Sequence, residues 1–88
     1  NVLEREIVNL AMEKSEKEND ALVLRFVETK GKEAKCKLSL FFSPKKAEYA
    51  SNDEIGFEKI TLLKDNTVSF NAQPYSYTTI KVYGDFEI

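Results

Sequence analysis

Residues 33–40 alternate without a break: Ala34, Cys36, Leu38 and Leu40 fall on one side, Glu33, Lys35, Lys37 and Ser39 on the other. Successive side chains of a strand point to opposite faces, so this pattern predicts a strand with one face in a core and one in water. Just upstream, residues 21–28 are rich in Val, Leu and Phe, which suit a pleated and largely buried surface. Gly31 lies between the two runs, where the chain must reverse, and glycine takes a left-handed backbone at little cost. Together the runs predict a β-hairpin closed by residues 28–32.

The rest of the chain reads as further strands added to this pair. In residues 1–12, Leu3, Ile7, Leu10 and Ala11 recur at helical spacing, whereas Val8, Leu10 and Met12 alternate as in a strand. Local propensity slightly favours a helix; the β character of everything downstream favours a strand over residues 7–12, with residues 1–6 a linker. Residues 13–20, EKSEKEND, hold no apolar side chain and predict an exposed connection. Of Phe41 and Phe42, one must point away from the side that holds Leu38 and Leu40. Pro44 then interrupts any ladder. Residues 45–50 set Ala47 and Tyr49 against Lys46, Glu48 and Ala50, a short strand, and residues 51–53 form a turn. A further strand is expected over residues 58–63, a turn at residues 64–67 where Asp65 and Asn66 tolerate left-handed dihedrals, and a strand over residues 67–72. Pro74 sits in a connection. The last strand, residues 77–83, places Thr78, Ile80 and Val82 on one face and Tyr77, Thr79, Lys81 and Tyr83 on the other. About seven short strands divided by turn signals predict an all-β fold: a small antiparallel two-sheet β-sandwich, immunoglobulin-like in size.

Composition narrows the function classes. Eighty-eight residues fit a single β domain, 1–88, and a first residue of Asn suggests a piece excised from a longer chain. A net charge of −2 gives no reason to expect a nucleic-acid partner, and no apolar run approaches the ~20 residues that span a bilayer as a helix. Cys36 is the single cysteine; on the apolar side of its strand it reads as a small core residue in a reducing compartment, hence a cytoplasmic location. With no His, the common zinc and His-based catalytic constellations are excluded from this segment on its own. The three glycines are isolated, so no phosphate-cradling motif is present. Fifteen acidic residues always offer pairs, and here they fall in turns and on polar faces, where surface solubility explains them. Catalytic, cofactor-binding and metal residues are therefore expected to be absent from the segment.

Two features invite a binding role. Tyr75, Tyr77 and Tyr83 lie in or beside the last strand, and exposed rings stack on sugars; the commoner reading is packing against a neighbouring domain. Arg25 interrupts an apolar strand and needs a carboxylate or carbonyl partner; a structural ion pair with its stem on apolar neighbours is preferred to a substrate contact. Arg25, Tyr77, Thr79 and Tyr83 are the candidate domain-interface residues, because Tyr and Arg are enriched at interface cores. The outward member of the Phe41 and Phe42 pair is expected beside them, with weak self-association through that side.

The run VNLAMEKSEKENDALVLRFVETKGKEAKCKLSL resembles the start of the C-terminal β domain of family 38 glycoside hydrolases, the α-mannosidases. A strand leads into a Lys/Glu loop, then a Leu-Arg-aromatic-x-Glu strand matched by Leu24, Arg25, Phe26, Val27 and Glu28, then a turn matched by Gly31. Lys45 or Lys46, Ala47 and Glu54 match a later segment loosely, and Pro74, Thr79, Ile80 and Val82 stand where the family has its final strand. The resemblance covers Val8 to Val82. Val27 departs from it, since the family commonly has Tyr there, and any contact made by that ring is not carried over. The resemblance implies an accessory, non-catalytic domain that braces the catalytic region, with upstream catalytic and linker domains of the same chain as its partners. It implies that a catalytic zinc and an Asp nucleophile reside in the upstream domain of a retaining α-mannosidase, with no cofactor here. Two other readings remain: an independent carbohydrate-binding module, favoured by exposed tyrosines aligned on one sheet face, and an immunoglobulin-like protein-interaction domain docking through a sheet edge.

Overall fold

The strand-forming pattern is realised along the whole described chain. A computed structural model describes residues 7–86, with side chains from residue 12 onward. It contains β1 (Ile7–Lys14), β2 (Ala21–Glu28), β3 (Ala34–Ser39), β4 (Pro44–Ala50), β5 (Gly56–Lys59), β6 (Thr61–Leu63), β7 (Thr67–Ala72) and β8 (Tyr77–Gly84). All pairings are antiparallel, and they form a five-stranded sheet, β1-β2-β8-β4-β5, facing a three-stranded sheet, β3-β7-β6. The all-β, two-sheet sandwich is the architecture that the alternation predicts. The linker reading of residues 1–6 lies outside the described residues.

Alternation decides which side chains meet between the sheets. Leu22, Leu24 and Phe26 of β2 stand opposite Val82, Ile80 and Thr78 of β8 and point at the second sheet. From that second sheet, Cys36 and Leu38 of β3 pair with Phe70 and Val68 of β7. The Phe26 and Phe70 rings meet across the sandwich with centroids 5.0 Å apart. Fully burying a Leu, Val or Phe side chain stabilises by about 1.5–3 kcal/mol, so this layer supplies the main driving force. One end of the layer is closed by Phe42, whose ring packs at 4.9 Å on Phe86. Gly84 lies directly beneath Phe42: a Cβ there would come within 2.7 Å of the ring.

Three local expectations are corrected. First, β2 and β3 are not a hairpin. Both edges of β2 are taken, by β1 and β8, and β3 pairs with β7 in the opposite sheet. The link over residues 29–33 crosses between sheets and folds around the buried carboxylate of Glu28. That carboxylate accepts the backbone N–H groups of Lys30 (2.8 Å), Gly31 (2.7 Å), Lys32 (3.1 Å) and Tyr75 (2.9 Å). Donors that a hairpin turn would have left to the ladder are gathered on one side chain instead. Gly31 does adopt a left-handed backbone (φ 79°), and a Cβ at that position would collide with the Tyr75 ring. Second, the strand expected over residues 58–63 is two strands. Ile60 turns into the core and donates its N–H to Ala47 O (2.9 Å), so β5 stays with β4 while β6 joins β7 in the other sheet. The count is thereby eight rather than seven. Third, Pro44 begins a strand instead of interrupting one, which its missing N–H permits at a first position.

The mixed period of the first strand has a physical cause as well. β1 carries a register shift between Asn9 and Ala11, so strict alternation is broken there by one extra residue. The turn before β7 follows expectation: Asp65 and Asn66 take positive φ, 60° and 58°.

Cys36 is fully buried against Phe70. In the folded chain its thiol should react with a disulfide reagent far more slowly than free cysteine. Cys36→Ser should lower stability by about 1–3 kcal/mol, because a hydroxyl enters an apolar layer. Reaction at the rate of free cysteine would contradict this placement.

Candidate functional site

The register between β2 and β8 brings the four candidate interface residues onto one surface. Arg25 stands opposite Thr79, Val27 opposite Tyr77, and Ala21 opposite Tyr83. Their neighbours along each strand point to the core, so all four lie on the outer face of the five-stranded sheet. They differ in exposure. Tyr77 is 75% exposed, Thr79 is buried, and Tyr83 is half-buried. Arg25 makes the structural ion pair that its position calls for, Nη1 to Glu13 Oε1 at 2.7 Å, with both side chains partly exposed. A pair of this kind is worth about 0.2–1 kcal/mol.

Two loops account for the cover. The charged β1–β2 connection and the β4–β5 connection fold over the β8 end of this face and meet at Glu54. The Glu54 carboxylate accepts the Ser15 hydroxyl and, at 3.5 Å, the N–H of Glu16. Its own backbone takes positive φ (66°), an uncommon conformation for a residue with a side chain. That conformation aims its carbonyl at Lys81, whose Nζ donates to it at 2.8 Å. Lys81 is only 3% exposed, and its second partner is Glu18 Oε2 at 3.1 Å. Taking an ammonium out of water costs several kcal/mol unless it is paired and hydrogen-bonded, so Lys81 needs both loops in place. The Glu18 side chain is 41% exposed as a whole, while the Oε2 that faces Lys81 is itself buried.

Tyr83 completes this network. Its hydroxyl donates to Glu48 Oε2 at 3.2 Å, and the Lys46 ammonium sits 4.4 Å from the ring centroid. Burial, then the neighbouring carboxylates of Glu18 and Glu48, push its phenol well above the ordinary tyrosine value. The carboxylates shift the other way. The Tyr83 hydrogen bond and then Lys81 hold Glu18 below the ordinary 4.5, against the effect of burial. The Ser15 hydroxyl does the same for Glu54, helped by the Glu16 N–H and by Lys81 and Arg25. For Glu28, burial by itself raises the value, and the backbone N–H bonds of Tyr75, Lys30, Gly31 and Lys32 together more than reverse it.

The exposed end of β8 borders a different feature. Between the ends of β4, β5 and β7 and the start of β8 lies an open cleft of about 310 Å³, lined by Tyr49, Phe57, Glu58, Asn71, Gln73 and Tyr77 among others. Tyr49 and Phe57 stack with centroids 6.3 Å apart and planes at 25°. The Tyr49 hydroxyl accepts the Asn71 N–H at 2.7 Å, which fixes that ring in place. Phe57 itself is 70% exposed. Phe41, the outward member of its pair, does not join this group. It packs on Phe42 and Phe86 at the Gly84 end of β8, seven residues along the strand from Tyr77, or about 23 Å.

Sequence reasoning missed Glu28, Glu54, Lys81 and Phe57. Lys81 carried a signal, since it is flanked by Ile80 and Val82 in a strand buried on both sides. Glu28 and Glu54 carried only their matches to the family pattern, which gave neither a structural role. Among the described residues no group of three or more His, Cys, Asp or Glu is placed to hold a metal ion, and no helix is long and apolar enough to cross a membrane.

The lowered values of Glu18, Glu28 and Glu54 set the sign of an acid dependence. Each carboxylate adds stability above its unfolded value near 4.5, and that contribution is lost as the pH falls through the lower folded value. The thermal midpoint should hold between about pH 7 and pH 5.5 and then fall progressively below about pH 4.5. Glu28→Gln should reduce the midpoint at pH 7 by about 5–15 °C and make the acid limb shallower. A midpoint unchanged down to about pH 3 would contradict the assignment.

No curated protein and no solved structure matches this chain. A family model does: the glycosyl hydrolases family 38 C-terminal beta sandwich domain, over residues 6–81. The match runs from the start of β1 to Lys81, through both sheets and both covering loops. The chain belongs to the C-terminal β-sandwich domains of the family 38 glycosyl hydrolases.

Proposed function

We propose that this chain is the non-catalytic C-terminal β-sandwich of an α-mannosidase and braces its catalytic region. The observation that carries the reading is the family match over residues 6–81, joined to a chain that contains no His. In this reading the zinc and the nucleophile belong to the catalytic region of a retaining enzyme, and the β-sandwich supplies surface and rigidity. The docking face is the outer face of the five-stranded sheet, with Tyr77 and Arg25 as its accessible groups. Thr79 and Tyr83 lie in the supporting layer beneath. An inter-domain contact covers roughly 600–1,500 Å², and the exposed Tyr77 offers apolar area for one, continued past the sheet edge by Phe57 and Ile55. Left without its catalytic region, the same face would support weak self-association. A reduced Cys36 in the core is compatible with a cytoplasmic enzyme.

The isolated chain should hydrolyse no α-mannoside and retain no stoichiometric zinc after dialysis. Mannosidase turnover above that of a mock preparation would contradict the reading. Added to a family 38 catalytic region truncated before this domain, the chain should form a complex. Tyr77→Ala combined with Arg25→Ala should weaken that complex by about tenfold or more. Equal affinity for the double variant would remove this face from the interface.

A further inference from the structure

The three-stranded sheet stops short of the sheet it covers. β6 packs against β4 and β7 against β2, so β3 lies on the β1 side of the sandwich. Met12 of β1 shows the consequence. It stands directly opposite Leu24, a core residue, so both side chains point to the inner face. Leu24 is buried there, whereas Met12 is 52% exposed. β3 borders the same gap, and among the described residues it pairs with β7 alone. Just past that ladder, Leu40 donates its N–H to Asn66 O at 2.8 Å. Alternate residues of a strand direct their backbone groups to the same side. Cys36 and Leu38 therefore face β7, and the N–H and C=O groups of Lys35 and Lys37 face the open edge.

Charge selects what could fill the gap. Lys35 and Lys37 are exposed on the outer face of β3, and Lys14 shares the inner side of β1 with Met12. None of these three lysines is in an ion pair among the described residues, whereas Arg25, Lys45, Lys46 and Lys81 all are. Glu33, beside β3, is already taken by Gln73 Nε2 at 3.1 Å. Edge lysines discourage a second copy of the same strand, because an antiparallel β3–β3 pair would set like charges opposite each other. They favour carboxylates instead. We infer that the free edge of β3 docks an extended segment of a separate polypeptide, in which acidic residues alternate with apolar ones. The segment adds a fourth strand to the sheet through backbone hydrogen bonds to Lys35 and Lys37. Its carboxylates lie beside those two ammonium groups, and its apolar side chains turn inward over Met12. This edge belongs to the other sheet from the face that docks the catalytic region in the bracing reading, so the inference does not rest on that reading.

The test is amide hydrogen exchange of the 88-residue chain with a capped peptide of alternating Glu and Val, matched to β3 in length. Slowed exchange is expected at Lys35 and Lys37, with a shift of the Met12 methyl signal, both saturating as peptide is added. The same peptide with Lys in place of Glu should produce neither. Lys35→Glu combined with Lys37→Glu should weaken binding of the Glu peptide by about tenfold or more and confer binding of the Lys peptide. Both side chains are exposed, so the double variant keeps the fold. Exchange at β3 that is unchanged up to about 5 mM Glu peptide, or slowed equally by both peptides, would overturn the inference. Slowing at Lys35 and Lys37 that rises with chain concentration, without peptide, would assign the edge to a second copy. Slowing produced by a family 38 catalytic region would assign it to the enzyme itself. Either of these results would overturn the separate partner.

Discussion

Burial of β2 and β8 on both faces is the constraint on which the rest of the structure depends. These two strands pair along Ala21–Tyr83 to Val27–Tyr77, and one side of the pair meets the three-stranded sheet. Three strands cover only part of a five-stranded partner, and among the described residues no strand or helix covers the other side. The chain meets this shortage with loops held by buried carboxylates. Glu28 gathers four backbone N–H groups and closes one end of the sandwich, while Glu54 ties two loops together over Lys81. A domain of this size buries only about 60–65% of its unfolded surface, so such ties represent a substantial fraction of a marginal stability.

The same arrangement divides the outer face into two zones. Around Lys81 and Tyr83 the domain has covered its own sheet, and the charges there are spent on internal partners. Toward Tyr77 the cover ends, and rings stand in solvent beside an open cleft. A surface that is finished at one end and open at the other fits an accessory domain: a rigid half that keeps its shape and a half left for contact. Arg25 lies at the boundary, anchored by Glu13 but still partly exposed, so it can contribute to a contact without first being ordered.

How much of this was legible in the sequence depended on whether a residue obeyed period 2. Alternation placed Cys36, Leu38, Ile80 and Val82 in the core and put Tyr77, Thr79 and Tyr83 on one face, since each decision is local to a strand. Pairing was not legible in the same way. Val23 and Ala21 are buried on the outer side of β2, and a run buried on both sides signals a central strand, whose edges are both occupied. That signal competed with Gly31, which marks a reversal but not the sheet to which the chain returns. The cleft was harder still, because Phe57 falls in an irregular stretch where the register slips between Tyr49 and Ala50. Its neighbours Asn71 and Tyr49 are brought to it only by the stacking of two sheets.

In the bracing function proposed above, the open end of the outer face is where this domain would meet the catalytic region. Amide hydrogen exchange of the chain alone and in complex with a family 38 catalytic region tests it most directly. Slowed exchange is expected at the loop preceding β5 and at the start of β8, around Ile55, Phe57 and Tyr77, with β3 unchanged. Protection confined to β3 and β6, leaving the outer face of the five-stranded sheet to exchange as before, would contradict it.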